Sequence, residues 1–183
     1  MTGRTAAGVG AFLIAGGVLA GGGYAHIAGY RLNTTPSLPM GLWRQTSTAP
    51  VRLARGEVVT FCPPASAPFE LGHRRGYIAP GGCPSGLELM MKPIAALPGD
   101  TVTVSTAGIA VDGTPIAHSR PLSRDNEGRP LRAMAAGTYA VPAGEIWLVS
   151  SFNSRSYDSR YFGPVPITAV RALARPILTD DTP

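Results

Sequence analysis

Three segments of the chain carry side chains able to do nucleophilic or acid–base chemistry. They are Ser37, set between Pro36 and Pro39; Lys92; and Ser156-Tyr157-Asp158-Ser159-Arg160. A serine hydroxyl attacks a carbonyl only after a base takes its proton, and a neutral lysine amine can be that base. Of the 16 Lys and Arg residues, Lys92 is the only lysine. It lies in the apolar run Leu87-Glu88-Leu89-Met90-Met91-Lys92-Pro93-Ile94-Ala95-Ala96-Leu97, where Glu88 is the one other charge. Arginine keeps its proton in a protein, whereas burial moves lysine toward the neutral amine. An arginine-preferring genome explains why lysine is scarce, but not where the survivor sits. Taken singly, each segment also fits a plain structural role: a turn serine, a strand lysine reaching to water, a serine–aspartate loop bonded to its own backbone.

Other chemistries fit less well. His26, His73 and His118 are scattered, and the two cysteines lack a Cys-x-x-Cys spacing, so no metal and no cofactor is expected. No Gly-x-Ser-x-Gly elbow supports a serine–histidine system. The net charge of +5 comes from arginines spread mostly singly. Without a basic stripe, a helix-turn-helix, a zinc finger or an RNP pattern, no nucleic acid is expected as a partner.

These groups need a scaffold. With 23 Gly, 18 Pro and 7% aromatic residues, short strands joined by turns are favoured over a helical bundle. Residues 56–61, 87–95, 101–104, 137–141, 145–150 and 170–177 read as strands, and Asp112-Gly113 as a two-residue hairpin turn. Residues 31–44 read as a short extended or turn segment. Residues 62–83 read as a surface loop with little core of its own, 119–132 as a mobile excursion and 151–163 as an irregular polar loop. The fold class expected is mainly β and antiparallel.

Residues 5–30 hold no formal charge if His26 is neutral, and are long enough to span a membrane, although Gly and Ala dominate. Arg4 and the amino terminus are the upstream positives, which keeps the short tail cytoplasmic and exports the rest. A secretory signal cleaved near Ala25 or Ala28 is one alternative; a buried core helix, disfavoured by its glycines, is another. Anchor and signal both export Arg31 onward, to a compartment where Cys62 and Cys83 can pair; two free buried cysteines are the alternative.

The order and wording of the segments resemble the signal peptidase I superfamily, the serine–lysine endopeptidases of the bacterial membrane. Asn33-Thr34-Thr35-Pro36-Ser37-Leu38-Pro39-Met40-Gly41-Leu42-Trp43 is similar to the nucleophile segment, and Gly56-Glu57-Val58-Val59-Thr60-Phe61 to the strand after it. Met91-Lys92-Pro93-Ile94-Ala95-Ala96-Leu97-Pro98-Gly99-Asp100 is similar to the lysine segment, and Asn153 through Ser156-Tyr157-Asp158-Ser159-Arg160 to Pro166 to the closing segment. All four stand in family order. In the housekeeping enzyme a methionine follows the serine. Leu38-Pro39-Met40-Gly41-Leu42 is instead similar to the TraF-type conjugative-transfer branch, which the two-cysteine loop and small size also fit. Ser151-Phe152-Asn153 departs from the housekeeping Gly-Asp-Asn.

The resemblance implies a signal-peptidase-like antiparallel β domain with one N-terminal transmembrane helix. Residues 1–30 would be the cytoplasmic tip and membrane anchor, or an uncleaved signal, and 31–183 the exported serine–lysine peptidase domain. Ser37 would be the nucleophile and Lys92 the general base. Thr35 would help hold the oxyanion with the Ser37 N–H, Ser156 would orient the amine, and Asp158 with Arg160 would fix the closing loop. The partners implied are the lipid bilayer and a membrane-inserted pilin precursor, cut after a short side chain. In the TraF branch the precursor's own amino terminus can resolve the acyl-enzyme and close a ring. The implied location is the bacterial inner membrane, with the catalytic domain in the periplasm. Two alternatives remain: a general signal peptidase acting on signal-peptide substrates of many exported proteins, and a non-catalytic membrane-anchored assembly component of a transfer or secretion apparatus.

Overall fold

The computed structural model describes residues 23–24, 27–48 and 52–180. Strand β1 (Tyr30–Asn33) and strand β2 (Met40–Thr48) form a hairpin, and the connection between them, residues 34–39, holds Ser37. Strand β3 (Val58–Phe61) runs antiparallel to β4 (Met90–Ala96), with Val59 opposite Lys92. Strands β9 (Glu145–Leu148), β10 (Val165–Pro166) and β11 (Val170–Asp180) complete a seven-stranded sheet ordered β1-β2-β11-β3-β4-β9-β10. A second sheet, ordered β7-β6-β5-β8, is built from β5 (Thr101–Ser105), β6 (Gly108–Val111), β7 (Thr114–Pro115) and β8 (Gly137–Ala140). Every pairing is antiparallel, and the class is mainly β.

Local chemistry accounts for these elements. In β5 the β-branched Val102 and Val104 point inward and their neighbours outward, the period-2 pattern of a half-buried strand. The β6–β7 turn needs positive φ at both central residues, and Asp112 (φ 48°) and Gly113 (φ 79°) supply it. Two cores result. Val59, Phe61, Ile94, Ile146 and Leu148 belong to one, and Ala96, Val102, Ile109, Val111 and Trp147 to the other. Strands β4 and β9 serve both, and the register irregularity between Ile94 and Ala96 lies where one core gives way to the other.

Three local expectations are corrected. Residues 62–83 are not a coreless loop: helix α1 (Ala67–Arg74) lies there, and Phe69 and Ile78 are buried in the main core. These apolar residues are too widely spaced to show a period. Residues 119–132 form an ordered strap, closed by an Arg124–Pro130 bridge and by hydrogen bonds centred on Asp125. Distant partners add to these local bonds: Tyr77 donates to Asp125, Arg75 to the Pro130 carbonyl, and the Leu122 N–H to the Tyr161 hydroxyl, none of which local composition reveals. Within residues 151–163, α2 (Ser159–Phe162) is a buried turn of helix capped by Asp158.

The anchor expected over residues 1–30 falls largely outside the described residues. Among the described residues no helix is long and apolar enough to cross a membrane.

Candidate active site

The loop carrying Ser37 is built by Asn33. Its carboxamide nitrogen donates to the carbonyls of Thr35 (3.0 Å), Leu38 (3.1 Å) and Pro39 (3.0 Å). Its carboxamide oxygen accepts from the Thr35 backbone N–H (3.2 Å) and the Thr35 hydroxyl (2.9 Å). Pro36 and Pro39 lack N–H donors, so this side chain takes over much of the loop's bonding. Leu38 and Trp43 pack with Ala174 beneath the loop, and the Trp43 indole donates to the Pro39 carbonyl (3.0 Å). Ser37 is thereby held only 8% exposed, its Oγ 3.3 Å from the Thr35 hydroxyl.

Strand β4 places the lysine. Residues 90, 92, 94 and 96 are its buried positions, so Lys92 shares a face with Met90 and Ile94 and is 5% exposed. Burial pushes its amine down from 10.5 to about 8; the charge of Asp158 works against that fall and Arg160 adds to it. Near pH 7 about a tenth of the amine is then neutral, several hundredfold more than at the ordinary value. Lys92 lines an open groove of about 930 Å³ together with Ser37, Thr35 and Ser156. The Ser156 hydroxyl is buried and makes no hydrogen bond.

The closing segment is a clamp. Asp158 and Arg160 are fully buried and joined by two hydrogen bonds, Nε to Oδ1 (2.8 Å) and Nη2 to Oδ2 (2.7 Å). Arg160 also donates to the carbonyls of Asn153 (3.3 Å), Ser154 (3.1 Å) and Ser156 (3.1 Å), which shapes the loop carrying Ser156. A further bond to the His118 carbonyl (2.9 Å) ties in the strap. The bond from Cys62 to Cys83 closes the groove wall that both residues line. Among the described residues no cluster of three or more His, Cys, Asp or Glu could hold a metal ion.

A family model described as "Signal peptidase, peptidase S26" matches residues 6–178. The chain belongs to this S26 signal peptidase family. Relatives of this S26 member include a plasmid transfer protein TraF of Escherichia coli, 41% identical over 176 residues and covering 96% of each chain. A conjugal transfer protein TraF of Agrobacterium fabrum is 45% identical over 156 residues, 85% of each chain. A solved signal peptidase I of Enterococcus faecalis is 21% identical, with a TM-score of 0.38 over 67% of this chain and 97% of that one.

Two residues of this S26 chain have parts that the sequence reading did not assign. Asn33 stood in the nucleophile segment without a role, yet it organises the loop. Ser150 is fully buried, and its hydroxyl donates to the backbone carbonyl of Ser37 at 2.6 Å. Its own N–H donates to Asp158 Oδ2 (3.0 Å), so an unbroken chain of bonds runs from Arg160 through Asp158 and Ser150 to Ser37. Asn33 closes β1, and an Asn at the end of an extended segment just ahead of Pro36 is a readable turn signal. The one local partner of Ser150 is the Phe152 N–H, which donates to its hydroxyl at 3.1 Å; the two partners that tie it to the site lie 113 and 8 residues away and leave no local signal.

Proposed function

We propose that this S26 member is a membrane-anchored serine endopeptidase that uses Ser37 and Lys92 to process a pilin precursor for conjugative transfer. The observation that carries this reading is a buried lysine, lowered to about 8, lining the same groove as a buried serine. The relatives named TraF supply the transfer context. In the step envisaged, neutral Lys92 takes the Ser37 proton as Oγ bonds to the scissile carbonyl carbon. The Ser37 N–H faces the oxyanion, and the Thr35 hydroxyl joins it by turning its proton away from Asn33 Oδ1. Collapse breaks the C–N bond, and the Lys92 ammonium returns the proton to the leaving amine. Ser156, with its hydroxyl unengaged, is placed to orient the amine. Water then resolves the acyl-enzyme to a linear product, or the substrate's own amino terminus does so and closes a ring. The catalytic domain would work in the periplasm beside the inner membrane, where a shared bilayer raises the effective concentration of an inserted precursor.

The test is the mass of the pilin produced with the wild-type chain, Ser37→Ala or Lys92→Arg. Both variants are expected to leave the precursor uncut. A mature product 18 Da (about one water) below the cleaved linear form would mark cyclisation. Processing that survives in Ser37→Ala would reject the peptidase and favour an assembly component. Cutting of many exported precursors alongside pilin would favour a general signal peptidase.

A further inference from the structure

Beside the groove lies a second cavity of about 250 Å³, whose charged lining is Arg75, Arg124, Arg129, Arg155, Asp125 and Glu127. Both acids are engaged. Asp125 accepts from Arg129 at 2.7 Å and from the Tyr77 hydroxyl, and lies 3.5 Å from Arg75. Glu127 pairs with Arg129 at 2.9 Å. Burial pushes the Asp125 carboxyl up, but bonds from Tyr77 and Arg129 outweigh it and hold it well below the usual carboxylate range. The other two arginines have only neutral partners among the described residues. Arg124 donates to the Gly128 carbonyl at 2.6 Å, and Arg155 to the Asn126 side chain. Four cations against two anions leave this lining two positive charges in surplus.

The cavity is continuous with the catalytic groove, because Tyr77, Asn126, Arg155 and Tyr157 line both. Arg155 directly precedes Ser156 in the chain. We infer that Arg124 and Arg155 receive a carboxylate carried by the peptide that occupies the catalytic groove. The inference rests on the peptidase reading. A guanidinium presents a planar fork of donors that matches a carboxylate, and its bonds to an anion exceed those to a carbonyl or amide. The source can be an acidic side chain or a free C-terminus. A lipid phosphate suits these arginines less well: Met40 and Leu178, exposed and apolar, line neither the cavity nor the groove.

Fluorescein-labelled twelve-residue peptides of Ala, Gly, Ser and Val provide the probe, measured by anisotropy on full-length Ser37→Ala protein in detergent. One peptide is neutral and amidated. A second set carries one Asp, moved along the sequence, with an amidated end. A third peptide is neutral with a free C-terminal carboxylate. The expected result is about fivefold tighter binding of a carboxylate peptide than of the neutral amide, fading with salt. That difference should vanish when Arg124→Gln and Arg155→Gln are combined. Whether an Asp peptide or the free-ended peptide shows the gain identifies the source. Equal binding across all peptides, absent binding included, overturns the inference, as does a preference that survives the double substitution. Arginine-dependent capture of phosphatidylglycerol vesicles without a peptide preference also overturns it. Cleavage of the peptides by the Ser37 form without a carboxylate preference sinks this inference alone. Preference without cleavage of any peptide, together with a pilin precursor left uncut by the wild-type chain, sinks the peptidase reading instead.

Discussion

Lys92 is a charge-capable group placed where charge is costly. Its folded value of about 8 lies below its ordinary 10.5, so folding opposes its protonation. Below about 8 the lysine is protonated both folded and unfolded, and the burial penalty is felt in full. Between about 8 and 10.5 the unfolded chain holds the extra proton, so stability rises with pH across that window. The gap corresponds to about 3 kcal/mol. Lys92→Met should therefore raise the urea midpoint at neutral pH while abolishing processing; an unchanged or lower midpoint would count against a strained amine. Wild-type kcat/KM should climb about tenfold per pH unit below 8 and level off above it, since the base must be neutral. Ser150 is the second residue at issue. Ser150→Ala removes the donor to the Ser37 carbonyl, and with it the acceptor of the Phe152 N–H, while keeping the backbone bond to Asp158. The expected outcome is a fall in kcat of roughly tenfold with little change in KM, reporting a displaced nucleophile rather than lost binding. Equal losses in Ser150→Ala and Ser150→Thr would point to packing instead of the hydroxyl. Lys92 was legible in the sequence because it is unique in type and sits in an apolar run. Ser150 was not, because its role exists only once two remote segments meet.

At the scale of elements, the closing segment shows how stability and site geometry are joined. Asp158 caps α2, accepts the Ser150 N–H and holds Arg160, all without solvent exposure. Breaking such a pair leaves an uncompensated buried charge, which costs roughly 3–5 kcal/mol. Asp158→Asn should lower the thermal midpoint and loosen the loop bearing Ser156; a midpoint within a degree of wild type would show the clamp to be dispensable. Here the sequence was a good guide to strands and a poor one to what lies between them. Strand β3 follows from a β-branched run, β5 from β-branched alternation and the Asp112-Gly113 turn from turn chemistry, all of which are local. Strand β2 was obscured by Pro36, Pro39 and Gly41 at its start, although Gly41 is there for a reason. Its φ is +132°, and a Cβ would stand 2.2 Å from the Leu178 carbonyl of β11. Helix α1 was hidden by the Pro and Gly residues at the ends of its loop, and only Phe69 and Ile78 signalled that the loop contributes to the core.

For the molecule as a whole, the remaining question is how the groove meets its substrate. Leu32 and Leu178 both stand opposite Leu42, one on each side, so the three share a face of the β1-β2-β11 ribbon. Leu32 is 72% and Leu178 75% exposed, and Met40, two residues before Leu42, is exposed on that same face. This apolar ledge lies at the end of the hairpin that carries Ser37, and β1 follows directly on the exposed Tyr24 and Ile27. Water-facing leucines grouped in this way mark a contact surface more often than they occur by chance. If residues 1–30 anchor the chain, the ledge would rest on the lipid interface and set Ser37 at the depth where an inserted precursor emerges. A bimane probe on Leu178→Cys in full-length protein reconstituted into vesicles should be quenched strongly by brominated lipid. The same probe on Gly128→Cys, in the strap, should be quenched far less. Leu178→Asp should relieve the residual contact and raise KM for an inserted precursor, with kcat on a short soluble peptide unaltered. Equal quenching at both positions would mean that the ledge faces water or another protein, and that the anchor alone sets the height of the groove.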